Sequence, residues 1–374
     1  MPAKELIEYL EAPDRPLKAF VGLDGFVDEI VHVIGKRYDA DNYERIRTLA
    51  EYGSKIANAS GLSLNVEIDT ILKKAGGNGP IFAIGLMNYG ADLVYIGCTG
   101  KDTPDPVFHE LQQGAELIGI SDPGQTDAME FDDGKIIRGK HSAIIRLSWE
   151  TILEKVSVGR FAAYMDRADL ISFNNWTMIP QMNDIWRHVL SEAVPAMCEK
   201  IPGKVIFFDL ADPEKREDGH ILEALELMKQ FKAKGFETIL GLNRKEACEI
   251  GGIITGRKLD DLMASELRVL CGLLSEYIGL DCVVVHPVES AACVKDGEYF
   301  SVDGPYCAKP VLSTGAGDNF NSGFIYGYVK RLDMEDCLLL GVASSGFYVR
   351  NGRSAVLAEI REFIKTWKEG LLED

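Results

Sequence analysis

The chain has no Cys-x-x-Cys pair. Its eight cysteines (Cys98, Cys198, Cys248, Cys271, Cys282, Cys293, Cys307 and Cys337) stand apart, mostly in apolar runs. That spacing removes zinc-ribbon and dithiol-redox readings and points to buried free thiols in a reducing compartment. The six histidines are scattered without a His-x-x-x-His spacing, so a zinc hydrolase has no ligand set to rest on. No Lys/Arg stripe offsets a formal net charge of -18, which argues against nucleic acid and anionic membrane as partners. No apolar run is long enough to span a bilayer. The segment Met1 to Lys18 is charged, reads as a short helix and lacks a signal-peptide core, so a cytoplasmic location is expected. A glycine triplet after the first strand is also missing: Gly22-Leu-Asp-Gly-Phe-Val27 does not carry the dinucleotide fingerprint, which sets aside a dinucleotide-dependent oxidoreductase. There is no internal repeat, low-complexity tract or long linker.

What is present is a globular composition, 46% hydrophobic and 26% charged over 374 residues, enough for a sizeable core. Apolar strands at 18–23, 92–97, 169–173, 204–209, 238–240 and 281–286 alternate with helical stretches. These include 81–87, 104–114, 182–200, 221–232, 244–251, 259–277, 333–349 and 354–371. That alternation predicts an α/β fold with a mainly parallel sheet covered on both faces. Residues 36–61 read as an inserted helical excursion, and 30–34 as a further strand. From 115 to 147 the pattern changes to short strands flanking Asp132-Asp-Gly134, a hairpin signal. A second hairpin is expected around Asp296-Gly297. The first is read as part of a lid formed by segments about 28–34, 62–72 and 115–147 of a single domain spanning 1–374.

One stretch carries chemistry by itself: Val311-Leu-Ser-Thr-Gly-Ala-Gly-Asp-Asn-Phe-Asn-Ser-Gly-Phe324. Small residues run into Asp318, and an apolar helical pattern follows. A glycine-rich turn opening a helix presents unpaired N–H groups and the positive end of the dipole, a ready anion site. Gly315 and Gly317 let backbone approach an anion, and Asp318 puts a carboxylate beside it that can accept a hydroxyl proton. The same residues would also serve as a tight loop with an ordinary first-turn carboxylate. Three other stretches decide between these readings. They are Asp24 to Asp28 at the first strand's end, Ala75-Gly-Gly-Asn-Gly-Pro80 before a helix, and Asn243-Arg-Lys-Glu246 at another strand's end.

In this order, from Phe20 to about Gly352, the chain resembles the ribokinase-like carbohydrate kinases, the phosphofructokinase-B family. The strongest match is Ser313-Thr-Gly-Ala-Gly-Asp318, similar to that family's C-terminal signature. The resemblance implies a three-layer α/β/α fold with a small β-sheet lid, and direct transfer of the γ-phosphate of ATP to a hydroxyl of a small sugar. It implies Asp318 as base and the N–H groups of Gly315, Ala316 and Gly317 as anion hole. It further implies Asn243 and Glu246 on Mg2+, and Asp24, Asp28, Gly76, Gly77 and Asn78 on the sugar. Asn243, Asn319, Ala343, Gly346 and Phe347 would lie near the nucleotide. Three positions depart from the pattern. Leu312 replaces an aspartate that helps relatives bind a monovalent cation, so the resemblance gives no support for one. Ile81 stands where relatives have an asparagine, and His286-Pro-Val-Glu-Ser-Ala291 replaces a Thr-x-Gly-x-x-Gly that faces the nucleotide. Alternatives are a nucleoside or sugar-phosphate kinase of the same family, or a non-catalytic metabolite-binding relative. A homodimer through the lid edges is a further expectation.

Overall fold

The structure is a computed structural model that describes residues 3–198, 200–257 and 266–372. In chain order the strands are β1 (Lys18–Leu23), β2 (Phe26–Arg37), β3 (Tyr43–Arg45), β4 (Ile68–Gly76), β5 (Asp92–Gly97), β6 (Ala115–Gly119) and β7 (Gly124–Phe131). They continue as β8 (Gly134–Lys140), β9 (Leu170–Phe173), β10 (Val205–Asp209), β11 (Glu237–Leu242), β12 (Cys282–Val285), β13 (Ser290–Lys295) and β14 (Glu298–Asp303). A nine-stranded sheet has the order β14-β13-β12-β11-β10-β9-β1-β5-β6. Every neighbouring pair from β12 to β6 is parallel, and the β13–β14 hairpin is antiparallel.

Both faces of this sheet are buried, and the strand sequences show why. Along β10, Ile206 and Phe208 join one core while Val205 and Phe207 join the other. Along β12, Val283 and Val285 face the first core, Cys282 and Val284 the second. Successive side chains point to opposite faces, so a strand covered by helices on both sides reads as a continuous apolar run. The helix Ala316–Val329 packs on the second face between the helices Asn78–Asn88 and Met334–Asn351. Two glycines allow that close approach. A Cβ at Gly85 would lie 2.3 Å from Ser322 Oγ, and one at Gly323 would lie 2.3 Å from Ser344 Oγ.

The second sheet has five strands, β3-β2-β7-β8 with β4 also paired to β2. Its two faces differ. Phe26, Asp28, Ile30, Thr126, Ala128, Glu130, Lys135 and Ile137 line a cleft between the two sheets. Val31, Val33, Met129 and Phe131 face away and form a small core with Ile46 and Tyr52, the latter on the helix Leu49–Asn58. The lid thus carries its own helical cover, and Tyr52 stacks on Phe131 at 5.5 Å between ring centroids.

The lid is bounded differently from the sequence expectation. Ala115–Gly119 is the edge strand of the large sheet, paired in parallel with β5, and Ile144 and Leu147 pack into the main core. Only β7 and β8 of the 115–147 stretch belong to the lid. Conversely β2 runs from Phe26 to Arg37, and the excursion over 36–61 contains β3 as well as a helix. The helix expected over 259–277 is present as Leu267–Ile278, and 259–265 lie outside the described residues.

Candidate active site

Parallel strands deliver their C-terminal ends to one edge of the sheet, and ligands bind there in open α/β folds. Asp24 follows β1, Asn175 follows β9, Ala211 and Asp212 follow β10, Asn243 follows β11 and His286 follows β12. Two cavities open at this edge. One, of about 510 Å³, lies under the lid and is lined by Asp28, Lys74, Gly77, Asn78, Asn175 and Glu246 among others. The other, of about 340 Å³, is bounded by His286, Pro305, Ala316, Gly317, Ser345 and Gly346 among others. Asn243 lines both, and the 312–317 loop separates them: Leu312 and Thr314 face the first, Ser313, Ala316 and Gly317 the second.

Gly315 is the N-cap of the helix Ala316–Val329, at φ +98°. A Cβ there would fall 2.7 Å from the Tyr348 hydroxyl, which donates to Thr314 O at 2.8 Å, so conformation and space both demand glycine. The Ala316 N–H donates to Ser313 O at 3.1 Å and is already used. Among the described residues no acceptor is bonded to the N–H groups of Gly315, Gly317 and Asp318. The expected cradle therefore shifts by one donor. Gly315, Gly317 and Asp318 offer free N–H groups, and Ala316 contributes shape.

Asp318 is 7% exposed, and its Oδ1 accepts from Asn78 Nδ2 at 2.9 Å. Burial, and then the charges of Asp24 and Glu246, push its carboxyl up to about 8, against the pull of Asn78 and Lys74. A base poised near neutral pH is suited to taking a hydroxyl proton. Asn78, expected on the sugar, thus orients Asp318 while still lining the larger cavity.

Asp24 has a different place. It is fully buried and borders neither cavity. Its Oδ1 accepts from Gly79 N–H at 2.9 Å and its Oδ2 from Asn175 Nδ2 at 2.8 Å. It ties the end of β1 to the first turn of the helix Asn78–Asn88, a capping task that satisfies orphan N–H groups. Burial raises its carboxyl to about 6 despite these donors. Asp28, four residues on, does face the cavity. Gly76 makes room for it, since a Cβ at Gly76 would lie 2.1 Å from Asp28 Oδ2.

Asn243 and Glu246 form a capping box. Glu246 N–H donates to Asn243 Oδ1 at 3.0 Å, and Asn243 N–H to Glu246 Oε2 at 2.9 Å. The other oxygen, Oε1, accepts from Asp212 N–H at 2.8 Å, which fixes a turn where Ala211 and Asp212 both have positive φ, 58° and 61°. Left-handed backbone at two successive non-glycine residues is strained, and such strain collects at functional sites. Asp209, beside this turn, is 7% exposed and accepts from Asn321 Nδ2 at 2.8 Å. Burial and then the charges of Glu246 and Asp318 hold its carboxyl well above the usual range. Among the described residues no three His, Cys, Asp or Glu converge as a direct metal cage. Glu246 raises the proton affinity of both Asp209 and Asp318, and such a buried carboxylate cluster, its oxygens partly engaged, fits a hydrated Mg2+. That ion keeps several waters and prefers hard oxygen donors.

The nucleotide-side expectations resolve by helix face. Gly346 lines the smaller cavity together with Val342, Ser345 and Val349, at the i, i+3, i+4, i+7 spacing of one face of Met334–Asn351. Ala343 is fully buried in the core. Phe347 packs on Phe363 with centroids 6.0 Å apart and does not line this cavity. Asn319 is buried, its Nδ2 donating to Gly315 O at 2.9 Å, so it braces the loop from below. His286 lines the cavity, lies against Phe320 with centroids 4.6 Å apart, and is pushed down to about 4 by burial. Sequence reasoning passed over Asp209, Asn175 and Lys74. Their signal was position just past, or just before, a strand end.

A large, mainly parallel sheet, a small covered lid and a helix start with free N–H groups beside a buried carboxylate define a ribokinase-like carbohydrate kinase. The chain belongs to the prokaryotic ketohexokinase family, whose model matches residues 5–367. The ketohexokinase of Haloferax volcanii is 26% identical over 348 residues, 92% of this chain and 90% of that one. A 5-dehydro-2-deoxygluconokinase of Clostridium perfringens is 28% identical over 173 residues, 39% of this chain and 51% of that one. Among solved structures, the adenosine kinase of Sinorhizobium meliloti superposes with a TM-score of 0.64 at 18% identity, covering 93% of this chain and 98% of that one. The ribokinase of Arabidopsis thaliana, solved with ribose and ATP, gives 0.61 at 17% identity, covering 94% and 98%. These two likenesses establish the fold.

Proposed function

We propose that the chain phosphorylates a hydroxyl of a ketohexose with ATP as donor. The observation that carries this is the setting of Asp318 at a helix start: it is held by Asn78, which lines the larger cavity, and follows Gly317, which lines the smaller one, beside free N–H groups. Asp28, Gly77 and Asn175 hold the sugar under the lid, and the smaller cavity takes the nucleotide. Asp318, aligned by Asn78, accepts the proton of the attacking hydroxyl. The N–H groups of Gly315 and Gly317 face the charge that develops on the transferred phosphoryl group. Asn243, Glu246 and Asp209 would hold Mg2+, and the ion would supply positive charge to the donor's phosphate oxygens. Lys135 of the lid donates to Thr314 Oγ1 at 2.8 Å, so the roof reaches the signature loop.

A nucleoside acceptor is the second reading. Ile30, Ala128 and Ile137 give the roof an apolar strip that a flat base would cover. A coupled assay of ADP release over ketohexoses, aldoses and nucleosides separates the two: turnover is expected with ketohexoses. Preference for nucleosides would reverse the order. Ligand binding in thermal-shift screening, with no turnover by any pair, would instead make this a binding protein.

A further inference from the structure

Lys74 is a cleft cation that the reading above leaves unused. It stands on β4 directly opposite Asp28 on β2, lines the larger cavity and is half-buried. Lys215, in the same cavity, is paired with Asp212 at 3.1 Å, and Lys135 is bonded to Thr314. Among the described residues no carboxylate lies within 4.0 Å of the Lys74 ammonium. It is instead balanced at longer range between Asp28 and Asp318, and it feels the like charge of Lys135. A partly desolvated ammonium without a contact partner is costly, and a like charge nearby raises that cost unless an anion arrives.

From the sugar-side carboxylate on one hand and the base on the other, the geometry points to Lys74 as a catalytic residue that contacts the phosphoryl group in transit. This rests on the kinase reading and adds to it a residue outside the signature loop. In the step, the acceptor oxygen forms its bond to the γ-phosphorus and the bond to the bridging oxygen of ADP breaks. The hydroxyl proton passes to Asp318. Charge spread over the three non-bridging oxygens meets backbone N–H groups on the loop side and the Lys74 ammonium on the lid side. A lysine acts here as a point charge that needs no fixed fork geometry.

The test compares Lys74→Met and Lys74→Arg with wild type in two measurements. Steady-state kinetics are run with the sugar that wild type turns over best. Lys74→Met is expected to lower kcat by ~10²–10³-fold, the worth of one preorganised charge on the transition state. Both KM values should change little, and Lys74→Arg should recover part of the rate. Thermal unfolding is then followed with Mg2+ and ADP, with and without aluminium fluoride, which mimics the planar phosphoryl group. Wild type and Lys74→Arg should gain stability from the fluoride, and Lys74→Met should not. A Lys74→Met enzyme that keeps its kcat and its fluoride increment overturns the assignment. One that keeps kcat but loses affinity for the sugar overturns it too, because the ammonium would then be reading the acceptor. A wild type that turns over no sugar sinks the kinase reading itself, a result distinct from either.

Discussion

Replacing Asp318 by asparagine should slow the enzyme and stabilise the fold at once. The amide keeps the volume, and its carbonyl can still accept from Asn78 Nδ2, now at 2.9 Å from Oδ1. What disappears is a buried negative charge and a base. Loss of a positioned base costs ~10²–10⁴ in kcat, or ~3–5 kcal/mol of barrier. The stability effect follows from linkage. The folded carboxyl titrates at about 8, raised by burial and then by Asp24 and Glu246, while an unfolded aspartate titrates near ~4. The folded state therefore holds this proton more tightly. The group's contribution is complete below about pH 4 and is lost as pH rises through about 8. At ~1.4 kcal/mol per unit, the fully ionised carboxylate sets an upper bound on the order of 5 kcal/mol, which Asp318→Asn removes. ADP-release kinetics measure the first effect, and the wild-type kcat/KM should climb with pH toward a limb at about 8. Thermal unfolding at about pH 5 and about pH 8.5 measures the second, and the mutant's gain in Tm should be larger at the higher pH. Near-normal turnover would remove Asp318 from the base role. An equal Tm difference at both pH values would refute the account of its burial.

Two glycines give opposite kinetic signatures. Gly76→Ala puts a Cβ 2.1 Å from Asp28 Oδ2, so Asp28 must move and the sugar KM should rise by ~10–100-fold, with the nucleotide KM unchanged. Gly346→Ala puts one 2.3 Å from Pro305 Cγ in the wall of the smaller cavity, and the nucleotide KM should rise instead. Steady-state titration of each substrate reads both, and identical patterns would refute the assignment of the two cavities. Glu246→Gln exchanges one backbone-accepting oxygen for an amide N–H, so denaturant unfolding should report a loss of ~1–2 kcal/mol. A Mg2+ titration of the rate should shift to higher concentration, and a normal titration would take Glu246 out of the metal's surroundings.

Much of the large sheet was legible because each strand is buried on both faces and reads as a short apolar run before a polar end, as Val205–Asp209 does. The lid was harder for the same physical reason inverted. Its strands alternate between a cleft face and a covered face, so β2 interrupts its apolar residues with Asp28 and Glu29, and only 30–34 read as a strand. Ala115–Gly119 is an edge strand with only partly buried side chains, which made it look like lid. In the site, the signature loop gave Asp318 and its glycines by type and spacing. Periodicity named the helix Met334–Asn351 but left its rotation open, and Ala343 and Phe347 lie on the faces beside the one that Gly346 shares with the cavity. A carboxylate after a strand is the same in sequence whether it caps a helix, as Asp24 does, or faces a ligand, as Asp28 does.

The charge balance gives the arrangement its logic. A kinase with a net charge of -18 must bind a polyanionic donor against its own charge, and the cleft end of the sheet adds the buried Asp209, Glu246 and Asp318. Surface lysines cannot solve this, because exposed charges beyond a Debye length are screened by salt. Compensation has to be placed where water is excluded, and the fold places it from two directions. The helix Ala316–Val329 supplies its unpaired N–H groups from below. The lid supplies the half-buried Lys74 from above, and its exposed Lys135 touches the loop itself. Both lysines ride on strands of the lid sheet, β4 and β8, so positive charge arrives with the roof of the cleft. Field strength and desolvation are then coupled at Lys74: its charge acts more strongly the less water the cleft holds.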